Sequence, residues 1–247
     1  MRLLALTVVI VARPCPARGQ PAAAPPEPPP RLEASAQFSF LDTRGNAESQ
    51  SLGAGGDLIW RPAAWTHTAK VVFARTESDG EVSARSLASL FRASRALDTN
   101  LSVYGQYDFL RDVFAGVQQR HVLEAGASYL AVETAPHRLR LDAAAGYLYE
   151  EQVADHFDSM TLSLAALYRL AMSSTIELTY EPRFLLPLAD SDAWKFDQNV
   201  ALTVGINTIL SLKVAHTLRY SADPPEGFDT TDTIMAVSLV AKVRRPR

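Results

Sequence analysis

The sequence predicts an all-β protein: a closed, antiparallel, up-and-down transmembrane β-barrel of about twelve strands. Three observations predict it. From Leu32 onward apolar and polar residues alternate with a period of two, which is the strand period. The alternating segments exceed the ~9–11 residues that a tilted strand needs to cross a bilayer, whereas soluble strands usually have about five or six. The connections sort by parity. Tight ones ("PAA", "ALD", "TA", "MS", "NT") follow even-numbered strands, and longer polar ones ("DTRGNAE", "VFAGV", "QVADHF", "LADSD", "ADPPEGFD") follow odd-numbered strands, with the short "ESDGE" an exception. Membrane barrels sort their connections in this way between two rims.

Each strand contributes an outward apolar face and an inward polar one. The first, near 32–41, turns Phe38 and Phe40 out and Glu33 in. The second, near 49–61, has Asp57 inside and Trp60 outside; the third, near 65–77, has Lys70 inside and Trp65 outside. The fourth, near 81–95, assigns Arg85 to the lumen, and the fifth, near 99–112, sets Asp108 against Tyr107 and Phe109. The sixth, near 118–133, places Arg120 and Glu124 inside and Tyr129 outside. On the seventh, near 136–151, Leu139, Leu141, Tyr147 and Tyr149 oppose Arg138, Arg140, Asp142 and Glu150. The eighth, near 157–171, carries Tyr168 out and Arg169 in.

The ninth, near 174–187, separates Ile176, Leu178, Tyr180 and Phe184 from Glu177, Glu181 and Arg183. The tenth, near 192–206, separates Trp194, Phe196, Val200, Leu202 and Val204 from Lys195, Asp197, Asn199 and Thr203. On the eleventh, near 208–221, Leu210, Leu212, Val214, Leu218 and Tyr220 oppose Ser211, Lys213, Thr217 and Arg219; the twelfth, near 230–243, adds Asp232 to the lumen. Aromatics gather at the long-loop ends, Tyr180 counted among them, with a thinner group (Trp60, Trp65, Tyr129, Tyr168) beside the tight turns. Two aromatic girdles around an aliphatic band are what a bilayer with two interfaces selects.

The same period would serve a soluble periplasmic lipid-binding barrel with its apolar face inward. Such a barrel is filled by about eight strands, and twelve would have to hide too much apolar surface in one interior. Composition removes other classes. At 47% apolar and a mean hydropathy of −0.02, no stretch beyond the N-terminus approaches the ~18 apolar residues of a membrane helix. The net charge of −3 comes without a basic stripe, so a nucleic-acid partner is not expected.

Residues 1–19 read as an export signal: a charged start, an apolar run from Leu3 to Ala12, then small residues. Cleavage after Gly19 would take with it Cys15, the single cysteine, leaving no disulfide framework and no thiolate site. Residues 20–31, with "PAAAPPEPPP", read as a semi-rigid proline-rich linker ahead of the barrel domain at 32–247.

Four blocks, "FSFLDTRGNAESQSLG", "YGQYDFLRD…QRHVLEAGASYL", "LRLDAAAGYLYEE" and "ILSLKVAHTLRYSADPPEGFDTTD", resemble a salt-induced outer-membrane protein family, a bacterial domain of unknown function. The resemblance covers roughly 32–243, in the family's block order. It implies a Gram-negative outer-membrane barrel contacting outer-membrane lipid and, during biogenesis, the barrel-assembly machinery. It carries no reaction, ligand or catalytic residue. The chain departs from such barrels in ending "SLVAKVRRPR" rather than on an aromatic.

No catalytic, cofactor-binding or metal-binding set is expected. His67, His121, His137, His156 and His216 are scattered, and no HExxH, paired CxxC or GxSxG occurs. An outer-membrane lipid hydrolase would need a serine beside His121 or His216; interfacial histidines are the plainer reading. "DTRGNAESQ" lacks calcium-loop spacing and reads as a solvated loop. The candidate site is therefore a lumen charge network: Arg120, Glu124, Arg138, Arg140, Asp142, Glu177, Glu181, Arg183, Lys195, Asp197, Lys213 and Arg219. Its signs nearly balance, with Arg138, Arg140 and Arg183 offset by Asp142, Glu177 and Glu181. A narrow polar lumen follows, suited to small solutes or ions; the family resemblance adds, as an alternative, an envelope-integrity protein responding to osmotic or salt stress.

Overall fold

The computed structural model describes residues 30–43, 49–153 and 155–245. The export signal, nearly all of the linker and residues 44–48 of the first connection lie outside the described residues. Twelve strands are formed: β1 (Leu32–Thr43), β2 (Ser49–Trp60), β3 (Trp65–Ser78), β4 (Glu81–Ala96), β5 (Leu101–Asp112), β6 (Val117–Glu133), β7 (His137–Gln152), β8 (His156–Ala171), β9 (Ile176–Pro187), β10 (Lys195–Gly205), β11 (Leu210–Ser221) and β12 (Thr231–Arg245). Each pairs antiparallel with its sequence neighbours, and β12 pairs β1 from Phe38↔Leu239 to Leu32↔Arg245, closing the barrel. This seam joins the two edge strands, the condition for a sheet to sit in lipid, although its pairing stops at Phe38 and Leu239.

The barrel is inside out relative to a soluble protein. Phe38, Leu123, Leu164, Met235 and Val237 stand exposed on the outer wall, while Glu150 is 1% exposed, Glu124 and Lys195 4%, and Asp142 6%. Charged residues are almost never this buried unless paired. The registers fix the faces. Leu178, Leu202, Val214 and Val237 form one outward row; Glu177, Thr203, Lys213 and Ser238 form the inward row beside it. Leu202→Arg is therefore expected to cost about 2 kcal/mol, the lower part of the midplane range because Leu202 lies near the turn. Thr203→Arg, which points into the lumen, is expected to be mild. Urea unfolding of both variants in lipid vesicles checks this; equal costs would mean the faces are assigned wrongly.

Both aromatic girdles are present. At the long-loop rim Trp194 packs on Tyr220 at 4.8 Å and Phe184 at 5.5 Å, and His121 lies 5.2 Å from Phe109. At the other rim His67 lies 5.2 Å from Trp60, and His137 Nδ1 is 2.8 Å from the Tyr168 hydroxyl. Two assignments change. Tyr180 pairs directly with Tyr168, so it is level with the tight-turn group and does not belong to the long-loop girdle. Arg85 shares the outward face of Leu87 and Phe91. Serines on both faces of β4 (Ser86 in, Ser89 out) blur the alternation there.

The loop asymmetry is narrower than the strings suggested. Among the described connections it rests on 188–194 and 222–230, whereas β7 and β8 are joined by 153–155 alone. The β3–β4 hairpin is tight because Asp79 (φ 53°) and Gly80 (φ 81°) supply the two left-handed residues that a two-residue turn requires.

Candidate functional site

The lumen is crossed by ion pairs between facing walls. In a ring of twelve, β5 stands opposite β11, and β3 opposite β9. Arg219 of β11 places Nη1 2.7 Å from Asp112 Oδ2 and 3.2 Å from Ser86 Oγ. Arg183 of β9 reaches Asp108 of β5 at 3.1 Å and Glu124 of β6 at 2.8 Å. Lys70 of β3 meets Glu181 of β9 at 3.2 Å. Two long side chains from opposite walls can touch only where the interior is about as wide as their combined reach.

Between these crossings lie denser clusters. Glu150 holds Arg120, and Lys195 Nζ is 3.3 Å from it, while Gln152 donates a further hydrogen bond at 2.9 Å. Arg92 donates to Asp142 (2.9 Å), Gln106 (3.1 Å) and Ser128, and its guanidinium sits 3.5 Å over the Tyr104 ring. Arg140 Nε is 3.1 Å from Asp142 Oδ1, an ion pair that lacks hydrogen-bond geometry. The wall also carries a small apolar cluster, Val122, Leu148 and Leu185 with Phe157 against it.

The long-loop mouth is covered. The 222–230 loop bends over it so far that a side chain at Gly116 (φ 76°), on the far side of the same rim, would lie 2.9 Å from Pro225 Cγ and Phe228 Cδ2. Glycine is required there for both its φ and its lack of a Cβ. Beneath the loop remains a space of only about 30 Å³, lined by Asp112, Arg120, Glu150, Asp197, Arg219 and Asp232 among others. Two larger cavities of about 220 Å³ lie lower down. One is at mid-lumen, around Arg92, Glu124, Arg183 and Asp197, and one opens at the tight-turn rim, around Arg169, Glu177, Lys213 and Lys242. The lumen is thus a series of polar compartments separated by charge bridges.

A family model described as a protein of unknown function, DUF481, matches residues 36–243. The chain belongs to that family. This DUF481 chain is 24% identical over 212 residues to the uncharacterised protein YdiY of Escherichia coli (strain K12), covering 84% of itself and 82% of YdiY. Among solved structures it resembles the NanC porin at 10% identity and a TM-score of 0.47, over 87% of this chain and all (100%) of that one. It also resembles the translocator domain of the autotransporter NalP from Neisseria meningitidis, at 11% identity and a TM-score of 0.43, over 86% of this chain and 87% of that one.

Of the sequence-predicted site residues, the DUF481 barrel brings Arg120 and Lys195 together on Glu150, a lumen residue outside the predicted set, and joins Arg183 with Glu124, Arg140 with Asp142, and Arg219 with the far wall. Arg183 is not offset by Glu177 and Glu181. Arg183 finds its carboxylates, Asp108 and Glu124, on β5 and β6 across the lumen. Arg138 lies at the tight-turn rim with Glu133 at 3.3 Å, both more than half exposed. Lys213 donates to Gln37 at 3.3 Å, and Asp197 lines the two upper cavities. Arg92 and Asp112 carry the network without having been singled out; Arg92 was legible as the inward neighbour of outward Phe91. His121 bonds Tyr107 at 2.7 Å and stands 3.4 Å from Gln119, with no serine partner among the described residues.

Proposed function

We propose that the chain is an integral outer-membrane β-barrel that acts without enzymatic chemistry, as a narrow, charge-bridged pore for water and small ions within the envelope. The observation that carries this reading is the inverted burial: a closed sheet whose outer wall is apolar between aromatic girdles and whose carboxylates and guanidinia are paired inside. With strands of 11 to 17 residues, every one is long enough to cross a bilayer at a tilt. The long-loop rim faces outward from the cell, and folding proceeds through the barrel-assembly machinery. A response to osmotic stress fits the same reading, since a bridged lumen admits small ions without becoming a general porin.

The protein is expected to fractionate with the outer membrane and to migrate faster on gels before boiling than after, because a closed hydrogen-bonded cylinder resists detergent until heated. Recovery in the soluble periplasmic fraction after osmotic shock would defeat the reading.

A further inference from the structure

The outer wall carries one feature that a lipid-facing surface does not explain. Among the described strand side chains, the arginines and lysines on the outward register are Arg75, Arg85, Arg95 and Arg111; three of the four converge, for Arg75, Arg85 and Arg111 occupy one corner of β3, β4 and β5 at the long-loop rim. Arg75 and Arg85 are direct cross-strand partners, in the row that continues through outward-facing Leu52 and Phe40. Arg111 pairs Leu87 in the row below, diagonal to Arg85. Like charges directly opposite one another destabilise a sheet. Glu77 engages Arg75, but Arg85 and Arg111 are exposed and make no ion pair among the described residues, and Arg75 Nε is buried without a hydrogen-bond partner. Elsewhere on this rim the described outward strand positions carry no lysine or arginine, and Tyr149, Asp158, Tyr220 and the neutral Gln119 stand there beside His121.

We infer that this corner is a binding site for the phosphate groups of an outer-leaflet lipid, with Arg75, Arg85 and Arg111 as its anchors. Three planar guanidinia in reach of one another suit phosphate oxygens, which accept paired N–H donors and cancel the repulsion between Arg75 and Arg85. The occupant is a lipid and not free phosphate because the arginines cap apolar rows: Phe73 and Leu87 lie just below, so a ligand needs acyl chains under its anionic head.

The inference rests on the outer-membrane reading, and the test separates the two. Purified folded protein is titrated by native mass spectrometry with a bis-phosphorylated lipid A-type lipid, with the same lipid dephosphorylated, and with inorganic phosphate. Wild type is expected to prefer the phosphorylated lipid; Arg85→Gln with Arg111→Gln is expected to weaken it by about tenfold or more. Arg95→Gln, whose arginine lies 5.8 Å over Trp65 at the other rim, is expected to change nothing. Heat-modifiable mobility confirms that each variant folds, and Arg85→Gln alone is used if the double variant does not. Unchanged lipid affinity in a folded variant, or full displacement of the lipid by equimolar inorganic phosphate, overturns the site while leaving outer-membrane fractionation intact. Loss of that fractionation in wild type would strike the underlying reading instead.

Discussion

Glu150→Ala is expected to lower folding stability by about 3–5 kcal/mol, the largest single-residue effect in the barrel. The carboxylate is 1% exposed and lies between Arg120 and Lys195, the latter 4% exposed. Removing it leaves two buried cations with only the more distant Asp197 to offset them, which is the costly way to break a buried ion pair. Glu150→Gln keeps the volume and one acceptor and is expected to cost less, though it too leaves the cations unbalanced. Glu177 supplies the contrast. It lines the open cavity at the tight-turn rim and makes no ion pair among the described residues, so Glu177→Ala is expected to stay within about 0.5 kcal/mol of wild type. Urea titrations of vesicle-inserted protein, followed by tryptophan fluorescence, measure all three. A loss below about 1 kcal/mol for Glu150→Ala would mean that water reaches the cluster and screens it.

The second large effect concerns conduction. Wild type is expected to show small, weakly selective currents in planar bilayers, because the mouth is covered by 222–230 and opposed side chains cross the lumen below it. Replacing 223–229 with a short glycine linker should alone change little, since the bridges remain. Combining that change with Arg219→Ala and Lys70→Ala is expected to raise conductance severalfold. The opened mouth should then favour cations, for Asp112 loses its partner beside Asp197 and Asp232. A porin-sized wild-type conductance, or an unchanged current in the combined variant, would sink the picture of a bridged lumen. Neutralising Glu177 and Glu181 is the weaker experiment, because Arg183 draws its counter-charges from Asp108 and Glu124.

The amino-acid sequence determined the strands, their order and nearly all of their facing, since alternation is a local property that each segment displays by itself. Lys195–Gly205 and Leu210–Ser221 could be sorted residue by residue into wall and lumen because their outward positions are almost uniformly apolar. β4 was harder, with serine on both faces, and Arg85 was placed on the wrong side for that reason. The membership of the lumen network was legible in the same way, but its partners were not. Which carboxylate Arg183 or Arg219 meets depends on how the ring closes and on how wide the lumen is. Those are set by the register of every hairpin together, and no local pattern encodes them. Only the closed barrel brings β5 opposite β11 and folds Phe228 onto Gly116 across the mouth, whereas the register of the β3–β4 hairpin sets Arg75 beside Arg85 on the outer wall. Sequence decides which medium each side chain faces; closure decides which distant side chain it meets there.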